Sequence, residues 1–211
     1  MNCKLENDII NDNHRAIHEE IMRNNTKQLI MDIAWKHFSE CGYTDTNLER
    51  ICKEAGITCG PLYYYFEDKE DLYRQVVVQE VEKMEKEYTR ILTGDEPLME
   101  TIQNLFNLST IYNPLLQRDN SGATEIPKVE EIDRFNEFVL KMIYNKFQQA
   151  ERKGELKENS DMLKMIYFLY TYYLGIVTFD EKMNVGKQQE LYNKELSIQI
   201  FMDSFRQQFI K

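Results

Sequence analysis

Apolar residues recur at helical spacing along nearly the whole chain and almost nowhere alternate as a strand requires. Ile30, Ile33, Ala34, His37, Phe38 and Cys41 follow the i, i+3, i+4, i+7, i+8, i+11 rhythm of one buried face, which predicts a helix over residues 26–41. Gly42 is placed to end it in a left-handed conformation. A second helix starts at Thr46 or Asn47, both good N-cap residues, buries Leu48, Ile51, Cys52 and Ala55, and stops at Gly56. A third follows at once: Thr58 can cap it, and Pro61 is tolerable only in its first turn. The fourth, over 68–92, carries Leu72, Val76, Val77, Val81, Met84, Tyr88 and Ile91, and residues 93–97 break it. Further helices are expected over 98–112, 128–152, 160–183 and 188–210, with 117–127 a loop rich in Asp, Asn, Ser, Gly and Pro. Residues 1–24 are polar with a few isoleucines, and read as a loose arm or an extra frayed helix. The fold class is all-α.

Composition narrows the picture. No apolar run approaches the ~18 residues of a membrane span, and the first fifteen residues lack the apolar core of a secretion signal. Four cysteines, Cys3, Cys41, Cys52 and Cys59, show no CxxC spacing. A reducing cytoplasm is the expected setting. A net charge of -10 argues against non-specific coating of nucleic acid but leaves room for a local contact surface. His14 and His18 stand at i, i+4 without a third ligand type beside them, so no metal site is expected. No G-x-S-x-G, H-E-x-x-H or phosphate loop occurs, so neither an enzyme nor a cofactor is expected.

The short third helix carries the chemistry. Helices two and three, joined through Gly56, have the size of a helix-turn-helix, in which the second helix brings its N-terminal side chains to base edges and its flanks to phosphates. Gly60 lets backbone approach closely. Tyr63 and Tyr64 follow on the same short helix, and Lys69 opens the next one, where a cation gains nothing from the helix dipole. Thr46 and Asn47 can donate to phosphate from the start of the second helix. Cys59 and Pro61 are the base-edge candidates, through apolar contact with thymine methyls.

The order Ile30, Ala34, Phe38, Gly42-Tyr43, Thr46, Ile51, Ala55-Gly56-Ile57, Thr58, Gly60, Leu62-Tyr63, Phe66, Lys69, Leu72 resembles the N-terminal domain of the tetracycline-repressor (TetR) family. The resemblance implies a helix-turn-helix DNA-binding domain over 25–72 and a larger helical domain over 73–211 for ligand sensing and dimerisation. It further implies a homodimer on a palindromic operator, and the long fourth helix as the lever that a ligand moves. Tyr63 resembles the family's phosphate-contacting tyrosine. Three features depart from the pattern: Cys59 where a polar residue is common, Tyr65 for a frequent His, and a head over 26–72 with five cations against nine acids. Cys59 also carries an open alternative as a redox-sensitive thiol.

The helix over 160–183 is apolar nearly all round, so it must be covered on both sides. Phe106, Met142, Phe147, Tyr167, Phe168 and Tyr172 are the expected ligand contacts, for a small apolar or aromatic molecule. Leu163, Tyr170, Leu174, Ile198, Phe201 and Phe205 are the expected dimer contacts. The competing reading is a helical dimeric interaction protein that kept the head fold and lost operator binding; repression and activation are not distinguished.

Overall fold

The computed structural model describes the backbone of residues 2–112, 126–182 and 193–211, and the side chains of 24–108, 126–173, 175 and 193–211. The described residues form eight α-helices: α1 Asn2–Asp45, α2 Leu48–Glu54, α3 Cys59–Tyr65, α4 Lys69–Thr93, α5 Leu98–Tyr112, α6 Glu130–Arg152, α7 Met162–Lys182 and α8 Lys194–Phe209. None of them is long and apolar enough to cross a membrane. The polar start, expected as a loose arm or an extra helix, instead continues directly into the helix expected over 26–41, so that α1 runs from Asn2. The side chains of His14, His18 and Leu174 lie outside the described residues.

The chain divides into two compact units. One is built on residues up to Glu80, the other on the chain from Val81 onward apart from a short stretch before Glu130. The helix α4 belongs to both.

In the first unit, α1, α2, α3 and the start of α4 close around Ile30, Ala34, Phe38, Ile51, Leu62, Phe66 and Leu72. Ile30, Ala34, Phe38, Ile51 and Leu72 are positions that the helical rhythm marks as apolar. Leu62 and Phe66 are 0% and 1% exposed, and burying such side chains stabilises by about 1.5–3 kcal/mol each. The turns depend on two glycines. Gly42 (φ 77°) breaks α1 near its end, and Gly56 (φ 68°) turns the chain from α2 toward α3, both in the positive-φ region that a side chain disfavours. At α2, Asn47 alone is the cap: its side chain accepts from Glu49 N at 2.7 Å and Arg50 N at 3.3 Å.

The second unit centres on aromatic rings. Phe201 of α8 meets Phe106 at 5.0 Å, Tyr172 at 5.1 Å and Phe168 at 5.4 Å between centroids. Phe205 continues the stack to Phe209 at 5.0 Å and Phe147 at 6.1 Å. Asn193 caps α8 by accepting from Leu196 N at 2.9 Å. The end of α8 returns to the segment after α6, where Leu156 and Ile210 form an antiparallel bridge.

Candidate nucleic-acid interface and sensor cavity

The helix α3 has seven residues, CGPLYYY, and its two faces differ sharply. Leu62 points into the core, while Gly60, Pro61, Tyr63 and Tyr64 are exposed, the two tyrosines at 58% and 69%. The two tyrosine rings thus stand in water on a helix whose opposite face is held by the core. Tyr65 turns back and packs against its neighbours, 5.0 Å from Tyr64 and 6.3 Å from Phe66. Thr58 has the extended backbone of an N-cap (φ -74°, ψ 161°), but its hydroxyl makes no capping bond and stays exposed. Thr58 and Gly60 are thus both exposed at the start of α3. A Cβ added to Gly60 would meet only Thr58 Oγ1, at 4.0 Å, so the fold itself does not demand a glycine there.

Two expected contacts, Thr46 and Cys59, are placed otherwise, and a third, Lys69, is engaged within the head. Thr46 is 4% exposed, and its hydroxyl donates to Gly42 O at 2.6 Å. It closes the turn between α1 and α2 and is not presented to a ligand. Cys59 is half-buried and packs against the head core. It lies beside Cys52, whose thiol is pushed up to about 12 by burial and by its hydrogen bond with Cys59. The Cys59 side chain is thus turned inward and is not the groove-facing group that its position at the start of α3 suggested. Lys69 reaches back: its Nζ donates to Thr44 O at 2.9 Å and lies 4.8 Å from the Tyr43 ring centroid. Partial burial lowers its pKa, and its cation–π contact stabilises by about 0.5–1 kcal/mol at such a site. Lys69 ties the start of α4 to the turn before α2, with ammonium protons left over for a phosphate.

The acids of the head are mostly spent locally. Asp68 accepts from Asp71 N at 2.8 Å, Asp71 from Glu67 N at 3.0 Å, and Glu70 pairs with Arg74 at 2.6 Å. They cluster at the N-terminus of α4, where the helix dipole favours them. Glu54, at the end of α2, is held below the usual carboxylate range by hydrogen bonds from Lys36 at 2.8 Å and His37 at 2.9 Å. Arg50 and Lys53 remain exposed on α2.

A cavity of about 90 Å³ lies inside the second unit among α4, α5, α6 and α7. Its wall is mostly aromatic and aliphatic: Tyr88, Phe106, Phe135, Ile143, Leu169 and Tyr170 contribute, with Asn136 as the amide. Tyr88 is the single described residue of α4 in that wall. Its hydroxyl pairs with that of Tyr173 at 3.1 Å, and its ring meets Phe135 edge-on at 5.3 Å. Burial raises the Tyr88 pKa, so the phenol stays neutral in ordinary conditions. No Asp, Glu, Lys or Arg lines the cavity among the described residues.

Of the expected ligand contacts only Phe106 lines this cavity. Phe147 is buried against Phe205, Phe168 and Tyr172 stack on Phe201, and Met142 is half-buried away from the wall. Tyr167 is 74% exposed, beside an open groove between α7 and α8. The reason is rotational: α7 is apolar all round, so periodicity alone did not tell which stripe faced inward. The dimer expectations divide in the same way. Phe201 and Phe205 are 0% exposed inside their own unit and cannot reach a partner, whereas Leu163 is 74% and Tyr170 47% exposed. Leu196 and Ile200, at 53% and 49%, supply the outward apolar stripe of α8 that was missed, while Ile198 is half-buried. Four-residue spacing on one face was the signal that would have found them.

The sequence model for bacterial regulatory proteins of the tetR family matches residues 30–76. The chain is 29% identical over 179 residues to the transcriptional regulator QacR of Staphylococcus aureus, covering 81% of this chain and 94% of that protein. It is 37% identical over 73 residues to the regulator AcrR of Shigella flexneri, spanning only 34% of that protein's length and 33% of its own. A transcriptional regulator from Saccharomonospora viridis, solved in complex with choline, shares the fold with a TM-score of 0.74 at 15% identity, covering 89% of this chain and 99% of that one.

Proposed function

We propose that this chain, which belongs to the tetR family of bacterial regulatory proteins and is a transcriptional regulator and not an enzyme, works as a cytoplasmic homodimeric repressor. In this reading two copies hold a palindromic operator and let go when a small uncharged apolar or aromatic molecule enters the cavity behind Tyr88. The observation that carries it is the divided surface of α3: Leu62 fully buried, and Gly60, Pro61, Tyr63 and Tyr64 turned outward beside the unspent hydroxyl of Thr58. Phosphate contacts from Tyr63, Thr58, Lys69 and the Asn47 end of α2 would position the head, and Pro61, Tyr64 and the backbone at Gly60 would read base edges.

Dimerisation is supported by the exposed stripe Leu163, Tyr167 and Tyr170 on α7 with Leu196 and Ile200 on α8. Gly175 also lies open, with nothing within 4 Å of the place its Cβ would take, which suits close approach of a second helix. Two heads on one face of the duplex must sit about one helical turn, ~34 Å, apart or slightly more. A ligand that alters this spacing through α4 costs operator affinity by as much as its preference for the altered state.

The test is an anisotropy titration of the full chain with duplex DNA from immediately upstream of its own gene. Saturable binding of two chains per duplex, weakened by an uncharged aromatic compound, supports the reading. No competitor-resistant binding by a folded dimer favours a helical dimer whose partner is a protein.

A further inference from the structure

The connection between α4 and α5 is held by Lys146 of α6 and by Lys153 and Glu155 just after it. Lys146 is 3% exposed, and its Nζ donates to Gly94 O at 2.8 Å and Glu96 O at 2.9 Å. Lys153 donates to the carbonyl between them, Asp95 O, at 2.8 Å and to Asp95 Oδ1 at 2.6 Å. Glu155 accepts from Leu98 N at 2.7 Å. Gly154, at φ 73°, turns the chain after α6 so that Glu155 comes back to this place. Peptide groups from Gly94 to Leu98 are thus bound by three charged side chains of a single short segment.

Burying an ammonium is expensive, and neutral carbonyls compensate only in part. Burial and the nearby Lys153 lower the Lys146 pKa, against the pull of Glu96, Glu155 and Asp95. A helix end needs nothing so costly, since a left-handed glycine cap would satisfy its last carbonyls; Gly94 does not adopt that conformation. What the lysine adds is a rigid tie between two elements. The same α6 lines the cavity with Phe135, Asn136, Val139, Leu140 and Ile143, and Ile143 lies one turn before Lys146.

We infer that Lys146, with Lys153 and Glu155, is a latch that makes the C-terminal end of α4 follow any displacement of α6, and so converts occupation of the cavity into movement of the helix shared with the DNA-binding head. Lys146 is a positioning residue: it touches neither ligand nor DNA. The inference rests on the reading that a ligand enters this cavity, but it can be separated from it. Neighbouring hydrogen bonds and packed helices carry coupling only where an element has two arrangements, and the latch joins the sensing element to such a lever.

The experiment uses the full chain and hydrogen exchange of the amides of residues 88–98. Two perturbations push on α6: N-phenyl-1-naphthylamine, an uncharged aromatic dye whose fluorescence reports its own binding, and Val139→Phe, which fills the cavity without any ligand. In the otherwise unchanged chain each is expected to alter exchange in 88–98 by tenfold or more. In Lys146→Met the dye still binds, yet that response falls to under threefold. Lys153→Met, whose side chain stands nearer the surface, is run in parallel and should show an intermediate response; it decides the matter if Lys146→Met does not fold. Full responses in the latch variants overturn the inference. Failure of the dye to bind the unaltered chain counts against the ligand reading alone, because Val139→Phe still tests the latch.

Discussion

A single methyl group separates a structural from a functional role for α3. Gly60 is the second residue of a seven-residue helix, is exposed, and has a non-positive φ. Its missing Cβ would find only Thr58 Oγ1, at 4.0 Å. In a helix interior Gly costs about 0.8–1 kcal/mol relative to Ala; at this end position about half of that applies. Gly60→Ala should therefore stabilise the head by ~0.5 kcal/mol, roughly a twofold gain in the folding equilibrium. If α3 lies against DNA, the same methyl group forces the backbone away from it. Operator affinity should then fall by tenfold or more, about 1.4 kcal/mol. Urea unfolding followed by circular dichroism gives the first quantity, and fluorescence anisotropy with labelled operator the second. The two must move in opposite directions. Operator affinity that is unchanged or improved in a stabilised Gly60→Ala chain would refute the placement of α3 against DNA.

Further consequences follow from other side chains. Tyr63→Phe removes a hydroxyl from an exposed ring, so operator affinity should drop by about tenfold, the usual size of one hydrogen bond to a charged group, with the melting temperature unmoved. Tyr167→Glu places a charge in the exposed stripe of α7 and should give monomers by sedimentation while helicity is kept; a dimer that survives would point to another face. Thr46→Val breaks a part-buried 2.6 Å hydrogen bond to Gly42 O and should cost about 0.5–1.5 kcal/mol of stability, while the folded fraction binds operator normally. The carboxyls of Glu54 and Asp95 are both held below their ordinary range, by Lys36 and by Lys153 respectively. The stability that these pairs give is complete above the unfolded-state pKa near 4 and is lost as pH falls through the depressed folded values. Thermal melts between pH 6 and pH 3 should show this loss, and Lys36→Met with Lys153→Met should flatten it.

The head was legible because each cue had one meaning. Ile30, Ala34, Phe38, Leu62 and Phe66 fall on one stripe per helix, and Gly42 and Gly56 mark turns that other residues strain to make. Where a residue had two uses, the sequence did not choose. Thr46 and Asn47 are equal as caps, and only the packed turn shows Thr46 drawn inward to Gly42 O. Cys59 begins a helix pointed outward, yet the core offers Cys52 beside it. Lys69 has a partner 25 residues earlier in the chain, at Thr44, which no local pattern reveals. In the second unit the limit is sharper. A helix apolar on every side, as α7 is, leaves its rotation undetermined, so Tyr167 reads as a ligand contact although it is exposed, and Phe168 and Tyr172 likewise although they pack on Phe201. The latch at Lys146 left no trace in the sequence either, since a lysine on an amphipathic helix is normally solvated.

The most direct measurement is selection of duplexes from a randomised pool by the full chain, followed by affinity for the winning sequence across salt concentrations. The account predicts a palindrome with half-sites about one helical turn apart, bound by two chains. With Arg50, Lys53 and Lys69 as the cations around α2 and the start of α4, each head neutralises about three phosphates, so log affinity should fall with log salt at a slope near -5. Enrichment of no sequence by a folded dimer, or binding that Tyr63→Phe and Gly60→Ala leave untouched, would contradict it.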